Sequence, residues 1–232
     1  MDSTPDRWST WPGDAAALRA AQDALAAAAV LEPCVDLAAG ALIGGCFACF
    51  DPADHAFAGA ATLNRSQVVA TALATGVAGH AYQPGLLALR EGAVLERAVR
   101  RLPVGPDLLL VNATGADHPR RAGLAVHLGA VLELPTVGVT HRPLYAQGQW
   151  PEDERGAASP LSDDAGDVVG AWLRTRAGRR PIAVHAGWCT SVDLAVAVVL
   201  RSARRARTPE PLRRARELAR RARADGRRAA SA

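Results

Sequence analysis

Between Pro106-Asp107 and Asn112 lie four consecutive apolar residues, Leu108–Val111, and Pro135 introduces a second strand-like run, Thr136 to Thr140. A short, unbroken apolar run bounded by turn residues suits a strand covered on both faces, deep inside a sheet. The stretch between them, Gly123 to Leu132, is apolar at helical spacing, after a loop over Gly115 to Arg121. Strand, helix and strand in that order call for a layered α/β fold rather than a bundle or a sandwich.

The flanking sequence extends this frame. Ala15 to Val30 reads as a helix with Asp14 as its N-cap, ended by Pro33. A strand begins at Cys34-Val-Asp-Leu, a second covers Ala41 to Phe50, and a third Ala56 to Leu63 beyond a turn at Asp51-Pro52. Ser66 to Thr75 fits either element. Leu86 to Leu102 reads as an amphipathic helix. Residues 143–166, rich in Pro, Gly and acids, read as surface loops. Val168 to Arg176 and Ile182 to Ala186 read as strands. Ser191 caps a helix to Leu200 with Asp193 in its first turn, and Arg213 to Arg223 is a basic helix. A meander of strands followed by alternating strands and helices gives an α/β fold, a mixed sheet flanked by helices. No repeat or linker divides it, so residues 1–232 are read as one domain with a basic helical tail over about 204–232.

Charge is uneven. All 27 basic residues are arginine, and 12 of them lie from Arg201 onward against three acids, Glu210, Glu217 and Asp225. The tail therefore carries a surplus of 9 and the remainder about −5, since the whole is +4. Such asymmetry suits contact with nucleic acid, although a solvated, partly helical terminus is the commoner reading of it. No run approaches the roughly 18 apolar residues of a membrane span. The polar start, Met1 to Trp11, has no signal-like core, so a cytoplasmic monomer without membrane contact is expected. Cys46 and Cys49 form a CxxC within a strand, where a spacing of three turns the side chains to opposite faces. With no second pair nearby, they read as buried thiols rather than a zinc or redox site.

Chemistry in such sheets gathers at the carboxyl ends of strands. Asp36 lies in the first strand, Glu91 near the start of a helix, and Asn112 directly after Leu108–Val111. Two carboxylates and an amide brought together there form an oxygen donor set of the kind Mg²⁺ takes. A lone Asp near a strand is more often a turn or surface residue.

Several ordered blocks carry a more specific signal. They are Tyr82-Gln-Pro-Gly-Leu-Leu-Ala-Leu-Arg-Glu91; Pro106 to Arg120 with Gly123 to Gly129; Leu134 to Val139; Asp167 to Arg176; Val184 to Ala195; and Thr208-Pro-Glu-Pro211. In order and spacing they resemble the endonuclease V family over about Trp11 to Arg213. The resemblance implies a ribonuclease-H-like fold. It implies a Mg²⁺-dependent nuclease that recognises inosine in DNA or RNA and cuts the second phosphodiester bond on its 3′ side. By the same resemblance, Asp36 and Glu91 match metal carboxylates and Tyr82 and Pro84 match a wedge beside the lesion. Gly85, Leu87, Gly115, Gly123 and Gly138 match a pocket for the flipped base, with His118 beside them.

The chain departs from the pattern at the chemistry. Asn112 stands where the family keeps an Asp, which removes a negative ligand. Ala113 and Thr114 replace a Gly and a His of the same motif, and Gln83 an apolar wedge residue. His141 stands where the family has a Lys that serves the reacting phosphate, and Trp188 where it has a His. Indole can neither hold a metal in that way nor take a proton. Because members of a catalytic unit fail together, the expectation is weakened binding of Mg²⁺ (or Mn²⁺) and impaired or lost cleavage. A non-catalytic nucleic-acid-binding or partner-binding relative is the alternative. A rearranged site on Asp117, His118 or His141 also stays open.

Overall fold

The structure, a computed structural model, describes residues 8, 10–29, 37–38 and 40–230, with backbone only at 227, 229 and 230. Asp36, Cys34 and the strand expected around them lie outside the described residues. Helix α1 (Ala15–Ala28) starts where the sequence places it, and the Asp14 carboxylate accepts the Ala17 N–H at 2.8 Å. Strands β1 (Leu42–Phe50), β2 (His55–Asn64) and β3 (Gln67–Val77) form an antiparallel meander. Then come α2 (Leu87–Arg100), β4 (Leu108–Val111), α3 (Leu124–Leu132), β5 (Thr136–Thr140), β6 (Ala158–Ser162), β7 (Val168–Leu173), β8 (Ile182–Ala186), α4 (Val192–Ser202) and α5 (Glu210–Ala230).

The strands make one sheet in the order β3-β2-β1-β4-β5-β8-β7-β6. β4 lies between β1 and β5, parallel to both, and its four residues are fully buried. Every other pairing is antiparallel. This is a mixed sheet of ribonuclease-H-like form. Cys46, Ala48, Leu109 and Val111 face the side packed by α1, α2 and α3, while Ile43, Leu108, Leu110 and Val139 face α4 and α5. The alternation also separates the CxxC. Cys46 is buried in the α2-side core, and Cys49 is half-buried on the other face beside Arg220 and Arg223. Burial raises the pKa of both thiols, as expected for inert cysteines.

Three expectations need correction. The ambiguous Ser66 to Thr75 is an edge strand whose two most buried residues, Ala70 and Ala74, are four apart, a spacing that helix and strand share. The supposed loops over 143–166 contain β6, an edge strand where Pro160 is tolerated and Leu161 alone is fully buried. Only the first half of the tail departs from a solvated terminus, since most described residues from Arg220 onward are exposed. Helix α5 begins at Glu210 and lays Leu212, Ala215 and Ala219 on the sheet.

Glycines set how closely α5 can approach. A methyl group at Gly45 would stand 2.4 Å from the Pro211 carbonyl carbon, and one at Gly59 2.3 Å from the Ala215 oxygen. The helix backbone thus rests directly on β1 and β2. On the opposite side Trp11 lies against Gly92, donates to Glu96 Oε2 at 2.7 Å, and packs on His127 with ring centroids 4.6 Å apart. Burial holds His127 down to about 4.

Two outcomes follow from this packing. Gly59→Ala should cost about 1–3 kcal/mol by overpacking, read from guanidinium unfolding; an unchanged midpoint would mean that α5 sits more loosely than described. For His127, the unfolded chain takes a proton near pH 6.5 and the folded chain only near 4. Its contribution is therefore complete above pH 6.5 and is lost as pH falls towards 4. His127→Phe should remove about 2 kcal/mol of the loss between pH 8 and about pH 5. Wild type and variant losing stability in parallel on acidification would count against this account.

Candidate nucleic-acid interface

A cavity of about 270 Å³ opens at the carboxyl ends of β4 and β5. Tyr82, Pro84, Gly85 and Leu87 line one side, Asn112 to Thr114 the floor, and Thr140 with Arg142 to Leu144 the other side. Of the residues expected at a pocket, Gly85, Leu87 and His118 line it with the wedge pair Tyr82 and Pro84. Tyr82 is 65% exposed. Gly115, Gly123 and Gly138 sit behind the wall. A methyl group at Gly138 would stand 2.5 Å from the Ala113 oxygen, and one at Gly123 2.4 Å from the Thr114 oxygen. Their role is to let the backbone of 113–115 pack tightly, not to face the cavity.

The wedge is anchored through one carbonyl. Gly85, with φ +78°, occupies the left-handed region. Its oxygen accepts from Gln22 Nε2 at 2.9 Å and lies 2.9 Å from His118 Nε2. His118 Nδ1 accepts the Arg120 N–H at 3.1 Å, which leaves the proton on Nε2 to donate to Gly85. Burial lowers the His118 pKa, so the ring is neutral. Gln22 is 2% exposed, lines the cavity, and keeps a buried Oε1 with no partner. Sequence reading passed over Gln22. The available signal was a polar residue in the buried stripe Leu18, Gln22, Leu25 of α1.

The opposite wall hangs on Asp117. Its fully buried carboxylate accepts the Leu144, Tyr145 and Ala146 N–H groups at 2.7, 2.9 and 2.7 Å. Its Oδ2 also lies 3.5 Å from His185 Nδ1. Thr140 donates to the Arg142 oxygen at 2.7 Å and lies 2.9 Å from His185 Nε2. Desolvation holds His185 down to about 4 despite Asp117. With its oxygens committed to backbone donors, Asp117 holds the loop in place and is not available as a metal ligand.

At the strand ends the charge is positive. Asn112 Oδ1 accepts from Arg216 Nη2 of α5 at 3.3 Å, and the Arg216 guanidinium lies 4.9 Å from the centre of the Phe47 ring. His141 follows β5 and meets Arg207 through Nδ1. Desolvation, then Arg207 and Arg216, lower its pKa, so His141 is an uncharged group at neutral pH. Glu91, on α2, is half-buried and near enough to β1 for its charge to raise the Cys46 pKa. Desolvation pushes its pKa up to about 7 against the pull of Arg90. Trp188 lies elsewhere, packed with Leu25, Ala122, Val126 and Ala130, and does not line the cavity.

These positions test whether a divalent ion suits the described residues. Mg²⁺ needs anionic or neutral oxygens turned towards it. Here the Asn112 oxygen already faces a guanidinium, and Glu91 is the one expected carboxylate ligand among the described residues. No group of three His, Cys, Asp or Glu able to hold a metal occurs among the described residues. They do not form a good metal site by themselves.

A mixed sheet with β4 between two parallel neighbours, and a cavity at the strand ends, defines a ribonuclease-H-like α/β protein. The family model for endonuclease V matches residues 23–217. Endonuclease V of Streptomyces avermitilis is 40% identical over 215 residues, 91% of this chain and 93% of that protein. Its crystal structure superposes with a TM-score of 0.87 at 37% identity, covering 93% of this chain and 96% of that one. Endonuclease V of Streptomyces coelicolor is 39% identical over 90% of this chain and 91% of its own. The chain belongs to the endonuclease V family. The Ciona intestinalis endonuclease V, solved with a DNA 24-mer containing an inosine followed by a ribo-adenosine, shares the fold. Its TM-score is 0.78 at 19% identity, over 90% of this chain and 98% of that one. Among the described residues, no helix is long and apolar enough to cross a membrane.

Asp117→Asn replaces one of two acceptor oxygens with a donor facing buried N–H groups. It should cost about 2–3 kcal/mol in chemical denaturation and expose the 142–146 loop to faster amide exchange. Unchanged exchange in that loop would remove Asp117 from its anchoring role.

Proposed function

We propose that this chain holds an inosine base, turned out of a DNA or RNA strand, in the cavity between Gly85 and Leu144. Tyr82 and Pro84 would fill the gap the base leaves. The carrying observation is the cavity itself, lined by the wedge residues and closed behind by tightly packed backbone. Small residues where backbone approaches a base, and a pocket outside the stack, are what reading a flipped base requires. Gln22 Oε1, buried and unpartnered, is an acceptor that can meet a base N–H. The Ciona relative crystallised with inosine-containing DNA supports the same class of ligand.

By family, the reaction would be hydrolysis of the second phosphodiester bond 3′ to inosine, with Mg²⁺ on Asp36, Glu91 and Asn112 supplying the activated water. The described residues favour this poorly. The Asn112 amide faces Arg216, His141 is no firm cation, and Trp188 supplies no acid–base group where the family has one. We therefore read the chain as a recogniser of inosine-containing strands with cleavage impaired or lost.

Incubation of an inosine oligonucleotide with the protein and Mg²⁺ should give little or no product. The combined change Asn112→Asp and His141→Lys should recover far more cleavage than either alone, because such groups act as a unit, whereas Trp188→His, away from the cavity, should add little. Strong cleavage by the unmodified protein, abolished by Asp36→Ala, would replace this reading with that of an active endonuclease V whose site is rebuilt.

A further inference from the structure

The cations beside Asn112 are poorly matched by anions. Among the described residues no ion pair reaches Arg207, Arg216 or Arg220, whereas Arg213 and Arg214 are paired with Glu210 and Glu217. Arg216 is held over Phe47, gives one N–H to Asn112, and keeps its Nε buried with no partner. A groove of about 380 Å³ starts there, with Arg207, Thr208, Arg213, Arg216, Glu217 and Arg220 on its walls. Arg207 is shared with a second groove of about 540 Å³ that includes Arg176, Arg179 and Arg180. Asn112 also lines the base cavity. A continuous line of guanidinium groups thus leads away from the point where the cavity floor meets α5.

We propose that Asn112 and Arg216, with Arg207 beside them, form a metal-independent seat for a phosphodiester group of the strand whose base fills the cavity. The proposal rests on the reading of that cavity as a base pocket. Its physical basis is the neutrality of Asn112. A carboxylate 3.3 Å from the guanidinium would pair with it and cancel its charge. An amide accepts one N–H and leaves the positive charge free for an anion. The guanidinium is a planar fork whose remaining Nη donors suit phosphate oxygens. The substitution that costs the strand end its attraction for a cation gives the same place an attraction for the backbone itself. Free phosphate offers the same oxygens, so the strand must be distinguished from it.

The test is fluorescence anisotropy of a labelled single strand containing one inosine, in excess EDTA. The wild-type protein should bind without metal, and Mg²⁺ should not tighten the complex. Arg216→Met keeps the aliphatic stem over Phe47 and should weaken binding about tenfold, with a salt slope smaller by about 1. Asn112→Asp should also weaken binding in EDTA. Replacing single phosphodiesters near the inosine by neutral methylphosphonates should find one linkage that costs wild type about tenfold and costs Arg216→Met nothing further. That pairing separates the strand's backbone from free phosphate, since inorganic phosphate competing equally at every linkage would reveal only a general anion site. Thermal melting shows whether each variant is folded. Unchanged affinity of both variants in EDTA, or equal sensitivity of wild type and Arg216→Met at every linkage, would overturn the proposal. Loss of preference for inosine over adenine in the wild type, with Arg216 dependence intact, would instead overturn the base-pocket reading alone.

Discussion

The direct contact of α5 with the face of β1 and β2 governs the rest of the site. Gly45 and Gly59 carry no side chain where the helix backbone crosses, so Pro211 and Ala215 touch the sheet. That proximity places Arg216 over Phe47 and within reach of Asn112. A helix resting on ordinary side chains would lie farther out, since packed helices and sheets stand about 10 Å apart. The guanidinium would then sit in solvent instead of at a strand end. Stability and charge placement here come from the same two glycines.

The cavity depends on a different economy of hydrogen bonds. One wall is drawn in by a single carbonyl, Gly85, on which Gln22 and His118 converge. The other is drawn in by a single carboxylate, Asp117, which binds three consecutive N–H groups. Buried polar groups left unpaired are costly, so each wall is specified strongly by one residue. The cavity shape is therefore a property of the folded protein and does not need a ligand to organise it.

Much of this was legible in the sequence. The continuous apolar run of β4 announced a sheet centre, and Asp14 and Ser191 cap the helices expected of them. Tyr82, Pro84, Gly85, Leu87 and His118, which the resemblance singles out, lie around one cavity. What escaped was set by contacts far apart in the chain. β3 was ambiguous because its buried alanines are spaced four apart, and β6 because an edge strand needs little apolar content. Arg216 looked like one arginine among many in a basic helix. Its role depends on Asn112, 104 positions earlier. Gln22 depends likewise on a carbonyl 63 positions away. Trp188, expected at the chemistry, packs into the α1–α3 contact because a large apolar ring gains more from that surface than from an open strand end.

The grooves that leave the Asn112 end of the cavity draw all their positive charge from arginine, in a chain without a single lysine. A guanidinium stays protonated throughout the range in which proteins remain folded, even when crowded by its own kind. The surface field along α5 is thus a constant of the molecule, indifferent to swings in acidity. It also offers no primary amine along its length, so acetyl transfer or any other acylation of lysine has no purchase there. If this field is ever adjusted, the adjustment must come from a competing polyanion, from salt, or from chemistry directed at arginine itself.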